Sequence, residues 1–197
     1  MKILSLSKKS NGLYELQFEE KTLILDEDTI LQFRLFENKE IDAKDLVQVE
    51  KFDYLKKLEK KAIDYAIRYG KSSKEVCLYL ESKDIKREQA QIIVEQMIFN
   101  KWLDDENLAS NLASSYARNS NGHLMIREKL KKHLFSSDII EHALQCLSSE
   151  DIKIGIAKLY KKFTQKYKNL PEKEFKLKQR EYFYRHGYTE IDTDNLK

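Results

Sequence analysis

The sequence predicts a mainly α-helical chain: three tandem three-helix repeats forming an elongated, curved stack, preceded by a small β-rich module. Three observations carry this expectation. Apolar residues change from a spacing of two to spacings of three and four near Leu55, and charged residues make up 35% of the 197 positions against 41% hydrophobic ones. Breakers are scarce, with one proline and five glycines. A chain so rich in ion-pairing side chains and so poor in turn formers suits helices better than sheets.

The elements follow in order. Residues 2–6 alternate weakly, Ser10-Asn11-Gly12 is a turn signal, and Tyr14, Leu16 and Phe18 share one face of a period-two segment, so a hairpin is the simplest reading. Thr22–Leu25 supplies a third short strand. Asp26-Glu27-Asp28-Thr29 offers oxygens that cap a helix starting near Ile30. From about Leu55, the residues Leu55, Leu58, Ala62, Tyr65, Ala66 and Tyr69 form a helical stripe that Gly70 ends in a left-handed conformation. Ser72-Ser73-Lys74-Glu75 has the capping-box pattern that restarts a helix. A further helix from about Arg87 carries Ala90, Ile93, Val94 and Met97 inward.

The pattern then recurs. Leu108, Ala109, Leu112 and Tyr116 make a stripe, Asn119-Ser120-Asn121-Gly122 breaks it, Ile126 and Leu130 open the next, and Ser136-Ser137-Asp138 caps a helix bearing Ile140, Ala143, Leu144 and Leu147. A third copy begins with Ile152, Ile156, Leu159, Tyr160, Phe163 and Tyr167. Asn169-Leu170-Pro171 interrupts it, Phe175, Gln179, Tyr182, Phe183 and His186 follow, Gly187 closes that helix, and Thr189–Lys197 is a stub. Setting Leu80 on Leu130 brings Ile85 onto Phe135, Ala90 onto Ile140, Val94 onto Leu144 and Met97 onto Leu147, a period of 50 residues. Phe183 and Tyr188 match the first two of these positions 53 residues later. Each unit of such a series leaves an apolar face for its neighbour to cover, which is the logic of a solenoid. The expected division is 1–48 for the β-rich module with a short helix, then 49–104, 105–149 and 150–197 for the repeats, the last with a short final helix.

Chemistry is sparse. No run approaches the roughly 18 apolar residues of a membrane span, and the N-terminus lacks a signal-peptide pattern, so a cytoplasmic location is expected. Cys77 and Cys146 stand singly in helical stretches with no C-x-x-C spacing, and both are read as buried apolar filler. Asp104-Asp105-Glu106 could suggest a metal-dependent nuclease, yet it lies where a helix begins, and neighbours about 100° apart on a helix point in different directions, so capping is the better reading. His123, His133, His142 and His186 are scattered over the repeats. No phosphate-binding G-x-x-x-x-G-K-[ST] loop, no G-x-S-x-G elbow and no H-E-x-x-H occurs, so neither an enzyme nor a cofactor or metal is expected.

Charge is the remaining signal. Met1–Glu50 holds 7 Lys/Arg against 11 Asp/Glu, about −4, and the rest of the chain therefore carries about +7. Lys153–Arg185 alone holds 11 Lys/Arg and 3 Asp/Glu, interleaved with Tyr160, Phe163, Tyr167, Phe175, Tyr182, Phe183 and Tyr184. Basic residues bind phosphates and aromatic ones stack on bases, although most of these aromatics also fit the helical stripes of a core. The candidate contact residues are Lys158, Lys161, Lys162, Lys166, Lys168, Lys176, Lys178, Arg180 and Arg185. A second basic patch is formed by Arg127, Lys129, Lys131 and Lys132.

Several of these segments resemble a known family. Lys101-Trp102-Leu103-Asp104-Asp105-Glu106-Asn107-Leu108-Ala109 is similar to the G-Y-L-D-D-x-x-F-A signature of the RecX family, regulators of the RecA recombinase. Lysine stands here for its glycine, tryptophan for tyrosine and leucine for phenylalanine. The break at Gly122, followed by Arg127-Glu128-Lys129-Leu130, resembles that family too, as does Tyr182-Phe183-Tyr184-Arg185-His186-Gly187-Tyr188 beside its L-x-R-R-G-F element. Ser73-x-Glu75 with Tyr79-Leu80 resembles its S-x-x-E-L-x-x-x-L element more loosely. The resemblance covers roughly Leu55–Tyr188, and the β-rich start is similar to an extension found in some members. It implies a protein that binds the RecA–DNA filament, along its groove, and restrains strand exchange and co-protease activity; single- or double-stranded DNA is a further expected partner, and a monomer is expected. The rival reading is a helical-repeat adaptor for another acidic protein, recognisable by binding that needs no filament.

Overall fold

The structure, a computed structural model, describes residues Met1–Thr189. It contains two compact units, Met1–Tyr65 and Ala66 onward. The sheet of the first unit is antiparallel with strand order β1-β2-β3, formed by β1 (Ser5–Lys8), β2 (Leu13–Gln17) and β3 (Thr22–Asp26). Tyr14 faces Leu25 and Leu16 faces Leu23 across the β2–β3 pair. The alternation of Tyr14, Leu16 and Phe18 places Leu16 and Phe18 in the core with Tyr14 at its edge, beside Ile3, Leu25, Ile30, Leu35, Ile41, Leu46 and Val49. The first strand begins later than its alternation suggests. Ile3 exchanges backbone hydrogen bonds with Asn38 and Lys39 instead, and its side chain is completely buried.

Helix α1 (Glu27–Gln32) starts three residues before the predicted Ile30, since it is Asp26 whose carboxylate accepts from the Asp28 N–H. Helix α2 (Ala43–Tyr69) starts well before Leu55: the Asp42 side chain accepts from the Asp45 N–H at 2.7 Å and caps it. Its first turns point Leu46 and Val49 inward, three residues apart, beside exposed Val47, so the helical spacing read from Leu55 onward already begins here. Asp53 on α2 accepts from the backbone N–H of Asp26 and from the Thr29 hydroxyl, while Lys60 pairs with Asp26 at 2.5 Å, which ties α1 to α2.

Among the described residues the second unit is built of helices joined by turns: α3 (Ser73–Glu81), α4 (Arg87–Phe99), α5 (Asp105–Arg118), α6 (His123–Lys132), α7 (Ser137–Gln145), α8 (Ser149–Tyr167) and α9 (Glu172–Arg185). The 50-residue register reappears in burial, with Leu80 and Leu130 both fully buried and Ile85 and Phe135 both at 7%. It reappears in the backbone as well. Left-handed residues fall at Gly70 and Ser120, and at Asp84, Leu134 and Gly187, the same turns 50 and then 53 residues on. The third copy contributes α8 and α9; its predicted short last helix lies outside the described residues.

Three sequence expectations need correction. Cys146 is exposed rather than buried: it is the C-cap of α7, two residues past the inward Leu144 and so turned toward solvent, with Sγ 3.6 Å from His142 Nε2. Cys77 is half-buried. The buried line of α5 is Ala109, Ala113 and Ala117, with Leu108, Leu112 and Tyr116 flanking it. The reason is the close approach of α8, where a Cβ on Gly155 would fall on the Ala117 carbonyl oxygen. Tyr69 and Tyr160, placed on inward stripes, are 61% and 44% exposed.

Candidate functional site

The acidic cluster at the start of α5 is structural. Asp104 accepts from the Asn107 N–H at 2.9 Å as N-cap, and Asp105 turns away to accept from both the N–H and the hydroxyl of Ser73 at the start of α3. Among the described residues no group of three or more His, Cys, Asp or Glu side chains is placed to hold a metal ion. No helix among them is long and apolar enough to cross a membrane.

The basic residues divide by how far their charge is answered. On α6, Arg127 Nη2 donates to Glu141 on α7 at 2.7 Å, Lys129 lies 4.8 Å from the Tyr116 ring centroid, and Lys131 pairs with Glu128 at 2.8 Å. Lys132 is exposed and makes no ion pair among the described residues. On α8, Lys158 donates to the Arg118 carbonyl at 2.9 Å and Lys166 lies 5.3 Å from the Tyr167 ring centroid. On α9, Lys176 pairs with Glu172 and Lys178 with Glu181, both within about one turn of their own helix. Lys161, Lys162, Lys168, Arg180 and Arg185 are all exposed and make no ion pair within 4 Å among the described residues. They concentrate positive potential on α8, its C-cap and α9, offset in part at Arg185 by Glu181, whose carboxyl is lowered mainly by its bond with Lys178 and also by Arg185.

Most aromatic residues of this stretch serve packing. Phe163 sits 4.9 Å from both Tyr167 and Phe175 and 5.4 Å from Tyr182, measured between ring centroids, and joins α8 to α9. Phe183 packs against Tyr188 at 5.7 Å. Tyr184, 70% exposed, and Tyr160 are the rings of this stretch left open to solvent.

The junctions between successive repeats were not legible as pairs in the sequence. Ser72 caps α3, and its hydroxyl donates to the His133 carbonyl at the end of α6. At the equivalent position of the next repeat, the Gly122 N–H at the start of α6 donates to the His186 carbonyl at the end of α9 at 2.7 Å. At the first junction Glu75 meets His133 Nδ1 at 3.1 Å and Lys71 at 2.7 Å, while His133 Nε2 lies 3.2 Å from the Tyr116 hydroxyl. Burial pushes the Glu75 carboxyl up, but Lys71, the Ser72 N–H and His133 together hold it below the ordinary carboxylate range. Where α5 meets α8, the Arg118 guanidinium against Asp151 lowers that carboxyl as well, helped by the Ser114 and Ser148 hydroxyls. The 50-residue register contained the signal for the junctions, because it aligns Ser72 with Gly122.

No family profile matches the chain. Individual proteins do. A regulatory protein RecX of Streptococcus agalactiae is 31% identical over 179 residues, which is 89% of this chain and 68% of that protein. The regulatory protein RecX of Bacillus subtilis is 26% identical over 188 residues, covering 94% of this chain and 71% of its own. Among solved structures, a crystal structure of regulatory protein RecX superposes with a TM-score of 0.72 at 21% identity, over 98% of this chain and 97% of the other. RecX from Lactobacillus salivarius gives 0.58 at 21% identity over 71% and 94%. The fold is thus shared across nearly the whole chain, and with the sequence identity to the streptococcal protein it shows that this chain belongs to the RecX family of regulatory proteins.

Proposed function

We propose that this protein acts in the cytoplasm, as a monomer, by binding the filament that a RecA-type recombinase forms on DNA, and that it restrains recombination, repair and the SOS response by doing so. The mechanism is binding without bond chemistry. A ligand that favours one subunit arrangement of a filament over another shifts the population toward it by the difference in its affinities for the two, so a bound regulator can weaken the filament's hold on DNA with no reaction of its own. The observation that carries this reading is the row of exposed cations without a close ion pair on α8 and α9 in a member of the RecX family. Lys161, Lys162, Lys168, Arg180 and Arg185 are the first contacts to the nucleic acid within the filament, with Lys132 on α6 as an outlier of the same kind. Arg127, Lys129, Lys131, Lys158, Lys166, Lys176 and Lys178 add to the field while already engaged with their own neighbours.

We further take the helical part as repeats at 49–104, 105–149 and 150–197 after a module at 1–48. The recurrence of left-handed turns at Asp84, Leu134 and Gly187 favours that division. A surface built from repeats suits a filament because several weak contacts at fixed spacing reinforce one another.

The decisive experiment is ATP hydrolysis by the cognate recombinase on single-stranded DNA, with substoichiometric amounts of this protein added. Inhibition that spares a control ATPase supports the reading. No effect over a wide concentration range at low salt transfers the case to an adaptor that binds an acidic protein without DNA.

A further inference from the structure

A cleft of about 700 Å³ opens at the junction of the first two repeats, between α3, α4 and the turn after α6. Leu78, Val94, Leu134 and Phe135 give it an apolar lining, and Lys74, Arg87 and Lys131 stand among the polar residues around it with Glu81 and Glu95. Leu78 and Leu134 are 54% and 39% exposed, so the apolar lining is open to solvent.

The repeat register explains why a cleft exists at this place. Positions 77 and 91 of the first repeat correspond to 127 and 141 of the second, 50 residues on. In the second repeat these are Arg127 and Glu141, whose side chains meet at 2.7 Å while 38% and 50% exposed, with the Arg127 Nε itself buried. In the first repeat they are Cys77, far shorter than arginine, and Gln91, which has the length of glutamate without its charge. The same backbone frame therefore holds a long ion pair at one junction and leaves room at the other.

We infer that this cleft is a docking site for an acidic peptide segment of a protein partner, seated by one apolar side chain on Leu78, Val94, Leu134 and Phe135. Charge complementarity selects the occupant. Three cations, Lys74, Arg87 and Lys131, line the cleft against two carboxylates, Glu81 and Glu95; Lys74 is exposed, Arg87 is 76% exposed and only loosely paired with Glu81 at 3.9 Å, and Lys131 shares its charge with Glu128. The surrounding unit is basic too: from Ala66 to Lys197 the sequence has 24 Lys/Arg and 19 Asp/Glu, a difference of +5. A cationic segment would meet that field unfavourably, and a wholly charged one would leave the leucines uncovered. The inference rests on the reading that this protein regulates by binding another protein, and it assigns that interaction to α3, α4 and α6 while the DNA stays with α8 and α9.

The test uses the full-length protein and a short fluorescein-labelled peptide of Glu and Asp residues around one Phe, followed by anisotropy. The double variant Cys77→Arg, Gln91→Glu fills the cleft with the pair that the second repeat already accommodates, and circular dichroism checks that it folds. It is expected to bind the peptide about ten-fold more weakly, a loss of about 1.4 kcal/mol. Lys74→Glu, on the rim, weakens it in the same direction without filling the space. In a Cys146→Ser background the peptide slows reaction of Cys77 with a thiol reagent. Peptide binding that is equal in the wild type and both variants, or that leaves Cys77 as reactive as before, overturns the inference, as does equal binding of the peptide with Ser in place of Phe. The recombinase ATPase assay is independent of this outcome: inhibition there with no peptide effect removes the cleft alone, and the reverse removes the filament reading alone.

Discussion

Lys101 holds φ at +60°, a left-handed conformation that costs a residue with a Cβ about 1–2 kcal/mol. The family signature that this stretch resembles has glycine there, and the backbone explains why: Trp102 and Leu103 both donate to the Met97 carbonyl, which the chain reaches only by turning through Lys101. Lys101→Gly is expected to stabilise the protein, by up to about 1 kcal/mol after the extra freedom glycine gives the unfolded chain, read as a higher urea midpoint at unchanged slope. Gly155 is the opposite case. It has an ordinary helical φ, so Ala would be the better helix former, yet its Cβ would strike the Ala117 carbonyl on α5. Gly155→Ala is expected to cost about 1–3 kcal/mol, and a gain of stability in urea denaturation would show that α8 moves away at no cost.

Helix ends carry the junctions between repeats. Ser72 both caps α3 and donates to the His133 carbonyl, so Ser72→Ala removes two bonds at once; a drop of about 1–2 kcal/mol in thermal or urea unfolding is expected. Glu75 and Asp151 lie at these junctions with carboxyl groups held below the ordinary range. A carboxyl whose folded pKa is depressed binds its proton more readily in the unfolded chain. Its contribution is therefore complete above the unfolded value near pH 4 and disappears as pH falls through the folded one. The urea midpoint is expected to drop between about pH 5 and about pH 3. Asp151→Asn should be less stable at neutral pH and lose less on acidification; an identical pH profile would remove Asp151 from the cause.

At the scale of the whole molecule the field depends on which cations remain uncancelled. Replacing Lys161, Lys162, Arg180 and Arg185 by Glu is expected to weaken binding to single-stranded DNA uniformly across sequences and to flatten its salt dependence, by about 0.7 in the logarithmic slope for each phosphate that is no longer neutralised. Replacing Lys176 and Lys178, which already pair with Glu172 and Glu181, should do much less. A titration of labelled oligonucleotide at several salt concentrations separates the two sets. The sequence counted all these cations alike. Charge composition is additive along a chain, but pairing depends on which carboxylate shares a helix face or a neighbouring helix, as Glu141 does with Arg127 from 14 residues away.

What the sequence determined by itself was the class of the fold, the caps at Ser72, Asp104 and Ser136, the inward lines of α4, α6 and α7 and the 50-residue register. These depend on short-range periodicity and on local backbone hydrogen bonding, both readable within a turn or two of helix. Only the tertiary structure decided that alanines form the buried line of α5, that Cys146 faces solvent, and which lysines keep their charge free of an ion-pair partner. The cleft belongs to the same group, since an empty space is a property of three elements meeting: Cys77 and Gln91 are ordinary residues in the chain, and they leave a gap only because α6 and its turn stand opposite them.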